Sequence, residues 1–380
     1  MKTFLLPAVV AAALTGSAQQ TVILASMSPL SGPQAGLGEM IKLGAQLAIE
    51  EAKPRLAAAG ITLEFSPQDD QASPDTGVGV ARRLVNDPKI VGVVGTLNSG
   101  VAIPATEVFK DYQLAMVSPA NTNPKVTDRN YASVNRVCGR DDVQGPVGAA
   151  FAVTDLKAKK IFVVHDKTAY GQGVAEAFQK RAKELGADVV SFTGTEEKSN
   201  FQSLILQMKV RKPDLVYFGG IYDQGGVLIK QMRERGVTAT FLGPDALDSS
   251  ELIKIAQGAS KGVYYTTVAG PVDEYPAAKA FADAFKAKFG KSPESYALYS
   301  YDAANVLVKA IEDAAAKAGG KAPARGDVAK AVRNVSIQGI TGPIAFDGKG
   351  DRKQSEYFIL LLNEAKYPGA VQKKITSGVP

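Results

Sequence analysis

Short β-branched runs alternate with longer stretches of helical period along nearly the whole chain. Residues 21–27 and 61–66 read as strands. Between them Leu37, Met40, Ile41, Gly44, Leu47 and Ala48 recur at the 3.6-residue spacing of one helix face. The stretch 90–124 is the clearest unit: a strand at 90–94, a polar loop at 95–100, a helix at 101–112, a second strand at 114–117 and a second polar loop. Two strands joined through a helix must run parallel, and both loops then fall at the carboxyl ends of the strands, where open α/β sheets place their ligands. With a helix at 75–86, the first 120 residues carry strand and helix three times over, a doubly wound half-domain.

After residues 133–139 the pattern starts afresh. Helices at 145–154, 171–185, 200–210 and 225–235 alternate with strands at 160–165, 188–192, 215–218 and 240–242. The repetition in kind predicts an α/β protein of two doubly wound, parallel-sheet lobes. From residue 263 onward come a strand (263–267), helices at 277–289, 296–316 and 326–333, and strands at 343–346 and 357–362. Those helices exceed what an appendage to the second lobe needs. Their return to cover the first sheet would make each lobe discontinuous.

Composition adds little until the N-terminus. The 380 residues allow two domains, and 45% hydrophobic with 22% charged residues is ordinary for a soluble globular chain. The net charge of +6 is spread over helices that also carry acids, as in Lys180-Arg181-Ala182-Lys183-Glu184, with no basic run interleaved with aromatics; no nucleic-acid partner is expected. Residues 1–18 differ: Lys2, an apolar run over 4–14, then Gly16-Ser17-Ala18 form the pattern of a cleaved secretory signal peptide, too short to span a bilayer. The mature chain is expected to be soluble and exported. Its one cysteine, Cys138, excludes an intrachain disulfide, and with the single His165 far away in sequence no metal site is expected.

Enzyme signatures are weak. Gly77-x-Gly79-x-x-Arg82 and Gly171-x-Gly173-x-x-Glu176 both lack the third glycine of a dinucleotide fingerprint, and no GxxxxGK[ST], GxSxG or HExxH occurs. No cofactor and no catalytic residue is assigned. What repeats is a strand ending in a small polar or aromatic loop: TLNSG, SPANTNP, HDKTAYGQG, FGGIYDQG and LGPDALD. These offer hydroxyls (Ser99, Thr122), aromatics (Tyr170, Tyr222) and a carboxylate (Asp245). Hydroxyls beside a helix N-terminus suit a carboxylate, and a buried ammonium needs an opposite charge. Together they suit a zwitterion, with a plain helix cap after Gly243-Pro244 as the competing role for Asp245.

The runs SPLSGPQAGLGEMIKLGAQLAIEE, GTLNSG, MVSPANTNPKVT, VVHDKTAYGQG, YFGG and FLGPDAL, in that order and spacing, resemble the branched-chain amino-acid binding proteins of bacterial ABC importers, most closely the leucine/isoleucine/valine type. The resemblance covers essentially the whole mature chain. It implies two lobes joined by three crossovers, the type I periplasmic binding protein fold, here 19–140 with 269–345 and 141–268 with 346–380. It also implies a ligand caught by hinge closure and passed to membrane permease subunits, the binding protein itself a monomer. By that resemblance Ser99, Thr122 and the backbone of Ala120 hold the amino-acid head group, Tyr170 touches it from the second lobe, and Asp245, one methylene shorter than the usual glutamate, takes the ammonium. Leu37 and Ile221 stand where family members often carry aromatics, and the family's small disulfide is absent, its positions falling near Ala72 and Asn98. Two other readings stay open: a same-fold receptor for an amide or other small carboxylate, and an exported α/β enzyme.

Overall fold

The computed structural model describes residues 20–364 and 366–378. The signal-peptide expectation therefore lies outside the described residues. The first series of elements runs β1 (Gln20–Ser28), α1 (Ala35–Ala58), β2 (Ile61–Asp69), α2 (Pro74–Asn86), β3 (Ile90–Gly95), α3 (Ser99–Asp111), β4 (Ala115–Ser118) and β5 (Val134–Arg136). The second runs α4 (Asp141–Ala150), β6 (Lys160–His165), α5 (Ala169–Glu184), β7 (Asp188–Gly194), α6 (Gln202–Arg211) and β8 (Leu215–Gly219). It continues through α7 (Tyr222–Glu234), β9 (Thr240–Gly243), α8 (Ser250–Ala256) and β10 (Val263–Thr267). The remainder is α9 (Ala278–Phe289), α10 (Ser295–Lys317), α11 (Arg325–Arg333), β11 (Ser336–Gly339), β12 (Gly342–Ala345), β13 (Gln354–Leu362) and β14 (Ala370–Gly378).

The first sheet has the order β2-β1-β3-β4-β5 and is parallel throughout. Helices on both faces bury it, which is why β3 reads as an unbroken apolar run with every residue inside. In the second sheet, β7-β6-β8-β9-β10 repeats the same order in parallel. Both lobes thus reverse strand order at an equivalent place, between β1 and β3 and between β6 and β8, where a crevice opens beyond the strand ends.

Both lobes are the parallel-sheet, doubly wound units expected, and the second adds an antiparallel edge. β13 joins β10 antiparallel and β14 joins β13 antiparallel, so the second sheet is mixed. Chain that re-enters the sheet at its far edge without a crossover helix runs against its neighbour, and the β13–β14 pair needs only a short turn. The strand expected at 343–346 is β12, and it pairs antiparallel with β11, which the sequence pattern did not mark.

The late helices return to the first sheet. Ser300 on α10 donates to the carbonyl of Ile41 at 2.5 Å. At Gly44 on α1 a Cβ would stand 2.2 Å from the carbonyl oxygen of Ala297, so the two helices cross closely only because that position has no side chain. Arg325 opens α11 by donating to carbonyls of Val85, Asp87 and Ile90, pinning it under β3. The chain passes between the sheets after β5, after β10 and after β12. Two of these passages are clamped by Arg136, fully buried, which donates to Asp351 at 2.5 Å, while Arg140 reaches the other oxygen of Asp351 at 2.6 Å. Burial pushes the Asp351 carboxyl up, but the two guanidinium groups and the Thr127 hydroxyl outweigh it and hold it below its usual value.

Candidate ligand-binding cleft

On the first lobe, two loops are tied into one surface. The Ser118 hydroxyl accepts from the backbone N–H groups of Ala120 and Asn121 (3.2 and 2.9 Å) and donates to Asn121 Oδ1. Asn121 then crosses to the other loop: its Oδ1 accepts from Thr96 N–H at 3.0 Å and its Nδ2 donates to the carbonyl of Leu97 at 2.9 Å. This local hydrogen bonding by Ser and Asn is what makes SPANTNP a turn. It fixes Ala120 and Thr122 against the first turn of α3, whose leading N–H groups have no partners within the helix. Ser99 is the first residue of that turn, and its Oγ accepts from Asn123 N–H at 3.3 Å. Ala120, Thr122 and Ser99 are all buried.

On the second lobe, Thr168 caps α5 by accepting from Gly171 N–H at 2.9 Å, and Asp166 braces the cap through the Thr168 N–H and hydroxyl. The cap sets Tyr170 so that its hydroxyl donates to Asp245 Oδ1 at 2.6 Å and accepts from Ala246 N–H at 3.1 Å. Asp245 opens the turn after β9 and is 1% exposed. Its second oxygen accepts from Tyr296 at 2.5 Å, and Tyr296 stands on α10, which packs with the first lobe. Burial raises the Asp245 carboxyl above its ordinary value, and the two tyrosines pull the other way.

Other bonds also cross the cleft. Tyr222 donates to the carbonyl of Pro33 at 2.6 Å, Asn123 Nδ2 to the carbonyl of Ala169 at 2.6 Å, and Ser250 to Glu294 at 2.6 Å. The lobes are closed on one another.

The sequence-derived positions fall as follows. Ser99, Ala120 and Thr122 are buried together on the first lobe, and Tyr170 and Asp245 meet on the second. Ile221 precedes α7 and is buried in the large core cluster, with the adjacent Tyr222 making the cross-lobe bond. Leu37 lies in the first turn of α1, fully buried in the same cluster. Cys138 is buried and free, its thiol pushed up by burial and directed at the carbonyl of Asn121 at 3.7 Å. Among the described residues no three of His, Cys, Asp and Glu gather as a metal cage.

Three side chains near this centre escaped sequence reasoning. Tyr296 sits in a helix whose apolar spacing signals only core. Asp141, the first residue of α4, reads as a helix-start acid. Gln144, one turn on, donates to Thr266 at 3.0 Å.

A two-lobed α/β protein with a polar, interlobe, fully desolvated centre is the architecture of a solute receptor. The chain belongs to the periplasmic binding protein family, whose sequence model matches residues 21–366. It is 36% identical over 343 residues to the leucine-, isoleucine-, valine-, threonine- and alanine-binding protein of Pseudomonas aeruginosa, spanning 90% of each chain. It is likewise 36% identical over 347 residues to a Leu/Ile/Val-binding protein homologue of Brucella abortus, spanning 91% of each. Among solved structures it superimposes on a leucine-binding protein of Thermotoga maritima with a TM-score of 0.84 at 28% identity, covering 93% of this chain and 98% of that one. A branched-chain amino-acid binding protein of Streptococcus pneumoniae in complex with isoleucine shares the fold, with a TM-score of 0.83 at 23% identity, covering 95% and 100%.

Proposed function

We propose that this protein is the exported solute-binding component of an ABC importer, that it binds an aliphatic, branched-chain amino acid between its lobes, and that it hands the ligand to membrane permease subunits. The observation that carries the reading is the two-walled centre, hydroxyls and a helix N-terminus on one side and the tyrosine-held Asp245 on the other, in a chain so similar to proteins named for leucine, isoleucine and valine. Residues 1–18 act as the signal peptide, and the mature protein works as a monomer with lobes 19–140 plus 269–345 and 141–268 plus 346–380. Among the described residues no helix is long and apolar enough to cross a membrane.

In this mechanism the ligand carboxylate docks at Ser99 and the first turn of α3, with its ammonium toward Thr122 and the Ala120 carbonyl. Closure then brings Tyr170 and Asp245 over it, contacts available only in the closed state, so the ligand shifts the equilibrium toward closure. Leu37 and Ile221 bound the side-chain end. The protein is read as a binder and not an enzyme. Because one methylene in an apolar pocket changes binding by only about 1–3 kcal/mol, leucine, isoleucine and valine should differ modestly in affinity. Calorimetry of the purified mature protein against the twenty amino acids tests this: heat with the three aliphatics and no turnover is expected, and silence with all three would overturn it.

A further inference from the structure

Asp245 is not the only acid in the cleft. Asp141 begins α4 just past the first passage between lobes, and its backbone N–H donates to the carbonyl of Thr122 at 2.9 Å. Asp141 is 1% exposed; burial and the Asp245 carboxylate raise its carboxyl well above the ordinary value, and the Thr122 hydroxyl beside it pulls the other way. By hydrogen-bond geometry neither Asp141 oxygen, nor the buried Thr122 Oγ1 or Gln144 Oε1, has a partner, although the Thr122 hydroxyl stands near enough to Asp141 to favour its ionised form. Asp245 differs, because each of its oxygens already accepts a tyrosine hydroxyl.

The charge balance is lopsided. Two carboxyl groups are buried at the same centre, where burial disfavours the ionised form of each, and the guanidinium of Arg136 is committed elsewhere: to Asp351, to the carbonyls of Asn121 and Asn123, and to Thr127. A buried anion with open lone pairs is stable only opposite a cation or donors. An ammonium group supplies one positive charge and three N–H donors. Asp245 keeps a second lone pair on each oxygen for such donors, and Asp141 offers all of its own.

We propose that Asp141 is a second anchor for the ligand's ammonium group, acting with Thr122 and Asp245, so that the cation is held from the hinge as well as from the closing lobe. This rests on the amino-acid reading above and adds a residue and a division of labour to it. Asp141 is bonded to the Thr122 loop at the pivot, so it meets the ammonium when the ligand docks on the first lobe; Asp245 arrives with closure.

The test compares L-leucine with its hydroxy acid analogue, L-2-hydroxy-4-methylpentanoate, on the full mature protein by calorimetry. In wild type leucine should bind far more tightly. In Asp141→Asn leucine should weaken roughly 10- to 100-fold while the hydroxy acid changes far less, because the negative charge lost favours a cation over a neutral hydroxyl. Equal losses for both ligands would make Asp141 a support for the Thr122 loop and overturn the proposal, as would wild-type leucine affinity in the variant. Asp245→Asn gives a reading that does not depend on how Asp141→Asn folds: with a second anchor in place it still prefers leucine over the hydroxy acid at least tenfold, and with Asp245 as sole anchor that preference vanishes. A wild-type protein that binds no aliphatic amino acid overturns the functional reading and this inference with it. Wild-type binding with an indifferent Asp141→Asn overturns the inference alone.

Discussion

Tyr296→Phe separates closure from folding. The ring stays, so packing of α10 is kept, and the one atom removed is the hydroxyl that donates to Asp245 Oδ2 at 2.5 Å. In the closed form that buried oxygen loses its tyrosine donor. In an open form water reaches it, and nothing is lost. A hydrogen bond to a charged group contributes about 1.5–3 kcal/mol, and every 1.4 kcal/mol is a factor of about ten. Because the loss falls on the closed state alone, leucine affinity should drop roughly 10- to 150-fold by this arithmetic. Calorimetry gives the affinity, solution scattering the extent of closure at saturating ligand, and denaturant titration the stability without ligand. The expected result is a weaker Kd with an unchanged denaturation midpoint. A Kd within twofold of wild type would refute the claim that Tyr296 locks the lobes. A weaker Kd accompanied by an equal loss of ligand-free stability would refute the assignment of its effect to closure.

Other perturbations probe the frame around the site. Tyr222→Phe removes a neutral cross-lobe bond to the Pro33 carbonyl; at about 1 kcal/mol it should weaken binding about fivefold by calorimetry, less than Tyr296→Phe. Asp351→Asn leaves the buried guanidinium of Arg136 without its anion and should cost about 3–5 kcal/mol of unfolding free energy, read from the denaturant midpoint. Neutralising the exposed pair Lys279–Asp283 should leave that midpoint nearly unmoved. Asp248 is buried, which lifts its carboxyl to about 7 against the hydroxyl donors around it. Its native pKa lies above the unfolded value of 3.8, so its contribution is complete below about pH 4 and is lost as pH rises through about 7. Stability should therefore decline between about pH 4 and 7 by up to about 1.4 kcal/mol per pH unit from this group and level off above, and Asp248→Asn should flatten that slope in a pH series of denaturant titrations.

The sheet frame was legible in the chain because buried parallel strands write themselves as continuous apolar runs, β3 being the plainest. The polar loops after β3, β4, β6, β8 and β9 were legible for the same reason: each interrupts such a run with Gly, Asn, Ser or Tyr. What the sequence withheld was which side chains the returning chain brings to the centre. Tyr296 lies 51 positions from Asp245 in a helix whose first turns, SYALYSYDAA, are patterned for burial against α1, so its hydroxyl role carries no local mark. Asp141 stands in GRDD, where an acid at a helix start has an ordinary electrostatic role, and only its burial beside Thr122 and Asp245 sets it apart. β14 escaped because AVQKKITSG is an edge strand with charged, outward residues; edges are kept polar to prevent pairing with other chains, which also erases the hydrophobic signal.

The hinge and the ligand loop are one hydrogen-bonded body. Arg136 is held by Asp351 on the third passage between lobes, and from there it donates to the carbonyls of Asn121 (2.7 Å) and Asn123 (3.1 Å), the residues flanking Thr122. Asn123 in turn donates across the cleft to the Ala169 carbonyl, one residue before Tyr170. A rotation about the passages therefore strains the SPANTNP loop, the one proposed to hold the ligand's head group. Such a buried ion pair need add no net stability, since desolvation cancels most of the attraction; what it supplies here is a fixed pivot. Apolar residues of the same volume could fill the space. They would leave two buried carbonyls without donors and the SPANTNP loop free to shift relative to the hinge, and a cleft whose two walls move independently would lose the dependence of closure on a correctly seated ligand.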